Sequence, residues 1–361
     1  MKNIIYGAGV YGEIFCNELE SNDINIEFIV DQYTPKQYLC NKPIKRLNQI
    51  ATDNVNIFIS ITSPVTEVEV IKKLKDSGFK NVYSFVETLH KFPNLVRQCV
   101  EFTKTWYSTN KENMLDEDKL EKLSSLLNDD KSLKLLETIK KFRIDLSPET
   151  YPLPDLDPQY FPKDIDLFSH LSDIRFVDGG AYIGDTLAES IVEFNKAGKN
   201  ISYIASFEPD KKNIDKLSGE IKKQKKENPE VDFFIYPCGL WSSNEILQFS
   251  DNSNSNSSII NKIDKNLTTI MTVPLDKTII GATPNYIKMD IEGSEKEAIL
   301  GAKSLISEYS PVLAICLYHK PQDIWELPLL INDINSNYNM YLRIYGSMGL
   351  ELVLYCVPKN I

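Results

Sequence analysis

Hydrophobic and polar positions change period repeatedly along the chain. "KNIIYGAG" reads as an apolar strand entering a glycine turn, and Val10–Leu19 then has helical spacing. "INIEFIVD" (Ile24–Asp31) and "VNIFISIT" predict two further strands, Glu67–Ser77 a helix, and "FKNVYSF" a short closing strand. Strands alternating with helices imply crossover units around a parallel sheet. From about Cys99 to Ile144, leucines recur three and four apart among charges, which predicts a helical connector. Pro148, Pro152, Pro154, Pro158 and Pro162 follow, and prolines so placed break regular structure.

A second alternating series comes next: "IRFVDGGA", "SYIASFEP", "VDFFIYPCGLW", "NYIKMDIEG", "VLAICLYH", "MYLRIYG" and "LELVLYCVP". The last two lack an intervening helix and suggest an antiparallel pair. "ILQFS" and "TIMTVPLD" read as an inserted strand pair whose tip, "DNSNSNSS", is expected to be a flexible loop. The expected organisation is an α/β chain with two Rossmann-like domains, 1–90 and 147–361, joined by helices over 91–146.

Composition narrows the partners. A net charge of −11 disfavours nucleic acid or an anionic membrane surface. The Lys-rich stretch from Asp210 to Glu230 interleaves acids and apolar residues, as a solvated helix face does. The six cysteines form no C-x-x-C pair and sit mostly in apolar runs, which points to reduced thiols in a cytoplasmic protein and away from zinc. The N-terminal run is broken at once by Gly7 and Gly9, so no signal peptide is expected, and no apolar run is long enough for a membrane span.

In an open α/β sheet, ligands bind beyond the carboxyl ends of the strands. Asp178 ends one strand and leads into the turn of Gly179, Gly180 and Gly184, followed by Asp185. Glu208 and Pro209 end the next strand, Asp290 ends "YIKMD" with Glu292 two residues on, and His319 ends "AICLYH". A carboxylate at Glu208 suits the two hydroxyls of a ribose. Asp178 beside the first glycine would repel a pyrophosphate but attract the ammonium of a methionine moiety, so this turn favours S-adenosylmethionine over NAD. Lys288, within an apolar strand, is expected to pair or snorkel rather than catalyse. Trp241 and Trp325 are expected to pack, and His90 and His170 are given no role.

"FVDGGAYIGDT", "FEPD", "YIKMDIEGSEKEAILGAKSLI", "LAICLYHKPQDIWELPLLI" and "YLRIYGSMGLELVLYCVP" resemble the blocks of the FkbM family of S-adenosylmethionine-dependent methyltransferases, in the same order, over roughly Gln159 to Pro358. The resemblance implies a class I methyltransferase fold with a seven-stranded mixed sheet. It also implies O-methylation, often of sugar or polyketide hydroxyls. The chain departs from the pattern at Ile344, where a His is expected, so no role is carried to that position. Methyl transfer to a hydroxyl gains from a general base, for which His319 and Asp290 are the candidates. Asp290 with Glu292 is a candidate site for a magnesium or manganese ion instead.

Gly7, Gly9 and Gly12 form G-x-G-x-x-G after a strand, and Asp31 ends the next strand, the context of a dinucleotide fingerprint. No Tyr-x-x-x-Lys set follows. The domain resembles small Rossmann-type domains found beside sugar-modifying enzymes. The leading expectation is a cytoplasmic O-methyltransferase acting on a saccharide or saccharide-linked substrate, with homo-oligomers left open. The alternatives are an NAD(P)-dependent sugar oxidoreductase or epimerase and a non-catalytic glycan-binding scaffold.

Overall fold

The computed structural model describes residues 1–110, 113–249, 259–260 and 268–359. The tract "DNSNSNSS", expected to be a flexible loop, lies outside the described residues. Contacts divide the chain into two compact units. The first comprises Met1–Thr109, Glu137–Leu156 and Ile344–Leu350; the second comprises Asn110–Leu136, Asp157–Arg343 and Glu351–Ile361.

In the first unit the elements are β1 (Lys2–Tyr6), α1 (Val10–Ser21), β2 (Ile26–Val30), β3 (Tyr38–Leu39), β4 (Lys42–Lys45), β5 (Val55–Ile59), α2 (Pro64–Asp76), β6 (Asn81–Tyr83), α3 (Phe85–Lys91) and α4 (Asn94–Thr103). The sheet order is β3-β4-β2-β1-β5-β6, parallel except for the β3–β4 pair. Alternate residues Ile4, Tyr6, Phe28, Val30, Ile57 and Ile59 bury one face of it against Leu74 of α2 and Phe79. The β3–β4 pair was not expected; it lies in a polar stretch without apolar alternation.

The helical segment 91–146 does not form a body of its own. It supplies α4 to the first unit and α5 (Glu117–Leu126) to the second, and the boundary falls inside α6 (Asp130–Asp145). The late segment 344–350 belongs to the first unit because Trp106 holds it: the indole N–H donates to Met348 O at 2.9 Å in a buried contact. The Arg143 guanidinium lies 5.1 Å from the same ring.

The second unit is built on β7 (Ile174–Gly179), α7 (Asp185–Lys196), β8 (Ile201–Phe207), α8 (Lys211–Glu227), β9 (Asp232–Tyr236), β10 (Gly239–Leu240), β11 (Glu245–Phe249), β12 (Ile259–Ile260), β13 (Thr268–Val273) and α9 (Leu275–Thr278). It continues with β14 (Tyr286–Met289), α10 (Glu295–Gly301), α11 (Lys303–Tyr309), β15 (Val312–Cys316), α12 (Asp323–Ile334), β16 (Tyr338–Ile344) and β17 (Leu352–Pro358). Seven strands run in the order β16-β17-β15-β14-β7-β8-β9, with β17 antiparallel to β15. β14 and β15 are buried at every residue, as central parallel strands covered on both faces must be. Phe161, Phe168, Phe176, Phe194 and Tyr286 pack edge to face against one another beside β7 and β14. The inserted strand pair is β11 and β13, antiparallel and flanked by β10 and β12 in a separate four-stranded sheet.

Candidate functional site

β7 and β14 are neighbours in register, with Lys288 directly opposite Asp178. A charge inside an apolar strand needs a partner, and here each supplies the other. Lys288 Nζ lies 2.9 Å from Asp178 Oδ1 and donates to Gly180 O at 2.9 Å, with side chains 2% and 0% exposed. Burial pushes the Asp178 carboxyl up against the pull of Lys288, while Asp178 and Asp290 hold the Lys288 ammonium above its ordinary value despite burial. Asp178 Oδ2 is buried and has no hydrogen-bond partner among the described residues.

The turn after Asp178 is shaped by its glycines. Gly180 has φ +76, and a Cβ there would sit 1.9 Å from Asp290 O. Only glycine lets this turn lie against the end of β14. Gly179 is similarly crowded, with Leu240 Cδ1 2.9 Å from a hypothetical Cβ. Gly184, at φ +89, caps α7, whose first residue is Asp185. Glu208 ties the turn to the end of β8: its carboxylate accepts from Tyr182 N at 2.9 Å, Asp210 N at 2.8 Å and, more loosely, Asn213 Nδ2 at 3.4 Å. A carboxylate offers about four acceptor positions, so three are in use and one remains for a ligand hydroxyl, fewer than a bidentate clamp needs. Burial raises its pKa. Pro209 sets the chain direction into Asp210, the α8 N-cap.

Beyond β14 and β15 the acids converge. Asp290 Oδ2 accepts from Tyr160 OH at 2.8 Å and Oδ1 from Tyr318 OH at 3.1 Å. The His319 side chain is 4% exposed; its Nε2 lies 3.3 Å from Asp290 Oδ1 and 3.6 Å from Glu292 Oε2, and its Nδ1 lies 3.0 Å from Glu295 Oε1. Burial would push the imidazole down, but these carboxylates outweigh it and raise it to about 10. Burial works against ionised Asp290 too, yet His319, Lys288 and the two tyrosine hydroxyls hold it below the ordinary carboxylate range. Burial raises Glu292 to about 8, and burial with Asp290 nearby raises Glu351 to about 7.

Asp178, Gly179, Gly180, Glu208, Asp290, Glu292 and His319 thus meet at one end of one sheet. Sequence reasoning missed Tyr160, Tyr318, Glu295 and Glu351. Tyr160 comes from the proline-rich segment and Glu351 from the β16–β17 connection, where no periodicity marks a site. Lys288 was legible as a paired charge, and Trp325 is buried as expected. Ile344, at the end of β16, is buried as well. A cavity of about 330 Å³ lies at the other, amino-terminal end of these strands, lined by His170, Arg175, Asn285 and Tyr309 among others, away from the acids.

In the first unit Asp31 plays the part that Glu208 plays in the second. It accepts from Ala8 N at 2.9 Å and from Tyr33 N and Thr34 N at 2.8 Å, so the acid anchors the glycine turn. These amides hold Asp31 below the ordinary range against burial. Gly7 (φ +118) and Gly12 are required by contact, since a Cβ would lie 2.6 Å from Ser60 Oγ and 2.1 Å from Gly7 O respectively; a Cβ on Gly9 would meet nothing within 4 Å.

Comparison with known proteins relates the second sheet to a known family. Residues 178–346 match the family model of the methyltransferase FkbM domain. These residues are an FkbM methyltransferase domain. The methyltransferase FkbM from Methylobacillus flagellatus KT has a similar fold, with a TM-score of 0.59 and 21% identity over 98% of this chain and 89% of that one. No curated protein matches the chain. The second unit thus carries a methyltransferase domain of this kind over residues 178–346, and the α/β architecture of the chain is similar to that of the FkbM methyltransferase. Among the described residues no helix is long and apolar enough to cross a membrane.

Proposed function

We propose that the chain is an S-adenosylmethionine-dependent O-methyltransferase of the cytoplasm, acting on a hydroxyl of a sugar or glycan-linked intermediate. One observation carries this reading. The Gly180 backbone rests on Asp290, so the glycine turn and the acid cluster form a single rim. The residues on that rim fit the methyl donor. Asp178 Oδ2, buried and unpartnered, is an acceptor for an ammonium group, Glu208 keeps one acceptor position for a ribose hydroxyl, and Gly179 and Gly180 let a ligand approach the backbone. Asp185 and Pro209 flank these residues.

S-adenosylmethionine, when bound, supplies a methyl group on a cationic sulfur. The residues of the chain do the rest. Positioning accounts for much of such a displacement, and a base that takes the acceptor proton adds about 100- to 10,000-fold. His319 is charged at neutral pH in the metal-free chain and has no lone pair to offer, so it acts there as the cation that keeps Asp290 ionised. Asp290, at the edge of the turn, is the group that receives the proton. A rim of carboxylates favours an acceptor rich in hydroxyl donors, which supports a saccharide. Six unpaired cysteines, five of them buried, fit a reducing compartment.

Calorimetric titration of the full chain with S-adenosylmethionine and, separately, NAD tests the donor. Saturable binding of the first is expected. Binding of NAD alone would overturn the reading and favour an oxidoreductase. Product analysis with a panel of sugars and sugar nucleotides then tests the acceptor.

A further inference from the structure

The cluster around His319 holds a feature that methyl transfer by itself does not require. Neither ring nitrogen of His319 makes a well-aligned hydrogen bond among the described residues, although the side chain is almost fully buried, and Glu295 Oε2 is a third buried atom without a partner there. The two sides of the ring differ. Behind Nδ1 stands Glu295, 1% exposed, whose Oε1 also accepts from Ile291 N at 2.8 Å and is thereby fixed on the turn after β14. In front of Nε2 stand Asp290 Oδ1 at 3.3 Å and Glu292 Oε2 at 3.6 Å, on side chains 21% and 34% exposed.

A histidine that binds a metal presents one nitrogen to the ion and gives its other N–H to a carboxylate, which sets tautomer and ring orientation. Glu295 is placed for the second task, and Asp290 and Glu292 for sharing the first. Neighbouring ligands of a six-coordinate ion with bonds of about 2.1 Å stand roughly 3 Å apart, close to the separations found here. Glu292 is held at φ +55, a left-handed conformation that costs a non-glycine residue about 1–2 kcal/mol; the turn that adopts it carries this carboxylate to the ring.

We infer that Asp290, Glu292 and His319 Nε2 form a binding site for one divalent first-row cation, with Glu295 as the positioning residue. Asp290, Glu295 and His319 offer donor atoms within 4.8 Å of one another, so Glu295 also lies at ligand range. Its burial and its bond to Ile291 N place it behind the ring, whereas the Glu292 side faces outward and leaves positions open for an incoming oxygen. Mixed carboxylate and imidazole donors suit manganese, iron or zinc better than calcium. If the proposed O-methyl transfer is correct, an acceptor hydroxyl on such an open position loses its proton more readily; that consequence rests on the proposed function, and cation binding does not.

The test uses the full chain, stripped with chelator and titrated with manganese(II) while free ion is followed by electron paramagnetic resonance, with no methyl donor present. One ion per chain is expected. His319→Ala and Glu292→Gln should each weaken binding about tenfold or more, and Glu295→Gln about 10- to 100-fold. Circular dichroism establishes that each variant is folded. Glu292 is a third exposed, so its Gln variant supplies the decisive comparison if His319→Ala fails to fold. No retention of manganese at millimolar concentration would overturn the site, as would binding that Glu292→Gln leaves unchanged. A chain that binds manganese but not S-adenosylmethionine would leave this inference standing and sink the donor assignment.

Discussion

Replacing Lys288 with Met should destabilise the second unit by about 3–5 kcal/mol, the usual cost of removing one partner from a buried ion pair. The structure places the loss at the high end. Lys288 and Asp178 side chains are 2% and 0% exposed, so water cannot take over the interaction. The substitution removes the 2.9 Å bond to Asp178 Oδ1, and Oδ2 already lacks a partner, so the whole carboxylate would be buried unpaired. It also strips Gly180 O of its donor in the glycine turn. The damage lies in the orphaned charge rather than in lost attraction. Asp178→Asn combined with Lys288→Met should therefore be more stable than the sum of the two single losses, by at least about 1 kcal/mol of coupling. Urea unfolding followed by circular dichroism, on wild type, both single variants and the double variant, measures this cycle. A loss below about 1 kcal/mol for Lys288→Met, or strict additivity in the double variant, would refute the argument that the pair is tightly coupled.

Further expectations concern the glycine turns and the buried acids. Glu208→Ala removes the acceptor for two backbone N–H groups, each worth about 1–3 kcal/mol when left unsatisfied, so the turn should loosen and S-adenosylmethionine affinity should fall at least tenfold; an unchanged dissociation constant by calorimetry would dismiss Glu208 as a binding residue. Gly180→Ala should abolish cofactor binding and lower the melting temperature, because its Cβ would meet backbone at 1.9 Å, whereas Gly9→Ala should leave cofactor binding unaltered. Asp290→Asn should reduce turnover about 100-fold or more with little change in cofactor affinity, read by steady-state kinetics beside calorimetry. Asp323, buried and near Glu295, has its carboxyl raised from 3.8 to about 7. The folded state therefore holds this proton more tightly than the unfolded chain, and the resulting stability is present below about pH 4 and lost as pH rises toward 7 and beyond. A tenfold difference in proton affinity between the two states is worth about 1.4 kcal/mol, so Asp323→Asn, which keeps the acceptor for Lys320 N, should stabilise the protein by at least about 1 kcal/mol at pH 8 and change little at pH 4. Equal effects at both pH values in thermal melts would show that Asp323 titrates normally.

Much of this protein was determined locally. Runs such as "NYIKMD" and "VLAICLYH" could only be buried central strands, and their terminal polar residues had to emerge at the carboxyl edge of a parallel sheet. Asp178, Glu208, Asp290 and His319 were legible for that reason, and so was the need of Lys288 for a partner. Spacing along one strand, however, says nothing of what stands across from it. The register of β7 against β14 selected Asp178 for Lys288. Tyr160, Glu295 and Glu351 reached the cluster from an irregular segment, a helix start and a strand connection, and such positions carry no period to read. The division into units also depended on distant contacts: Trp106 holds Met348 within the first unit although 242 residues separate them. Folding set the protonation behaviour in the same way: burial raises the Glu292 carboxyl, and the carboxylates gathered around His319 raise its imidazole against burial. Hydrophobic period determined which elements form; the packing of those elements decided which charges face one another, and the chemistry at the rim follows from those pairings.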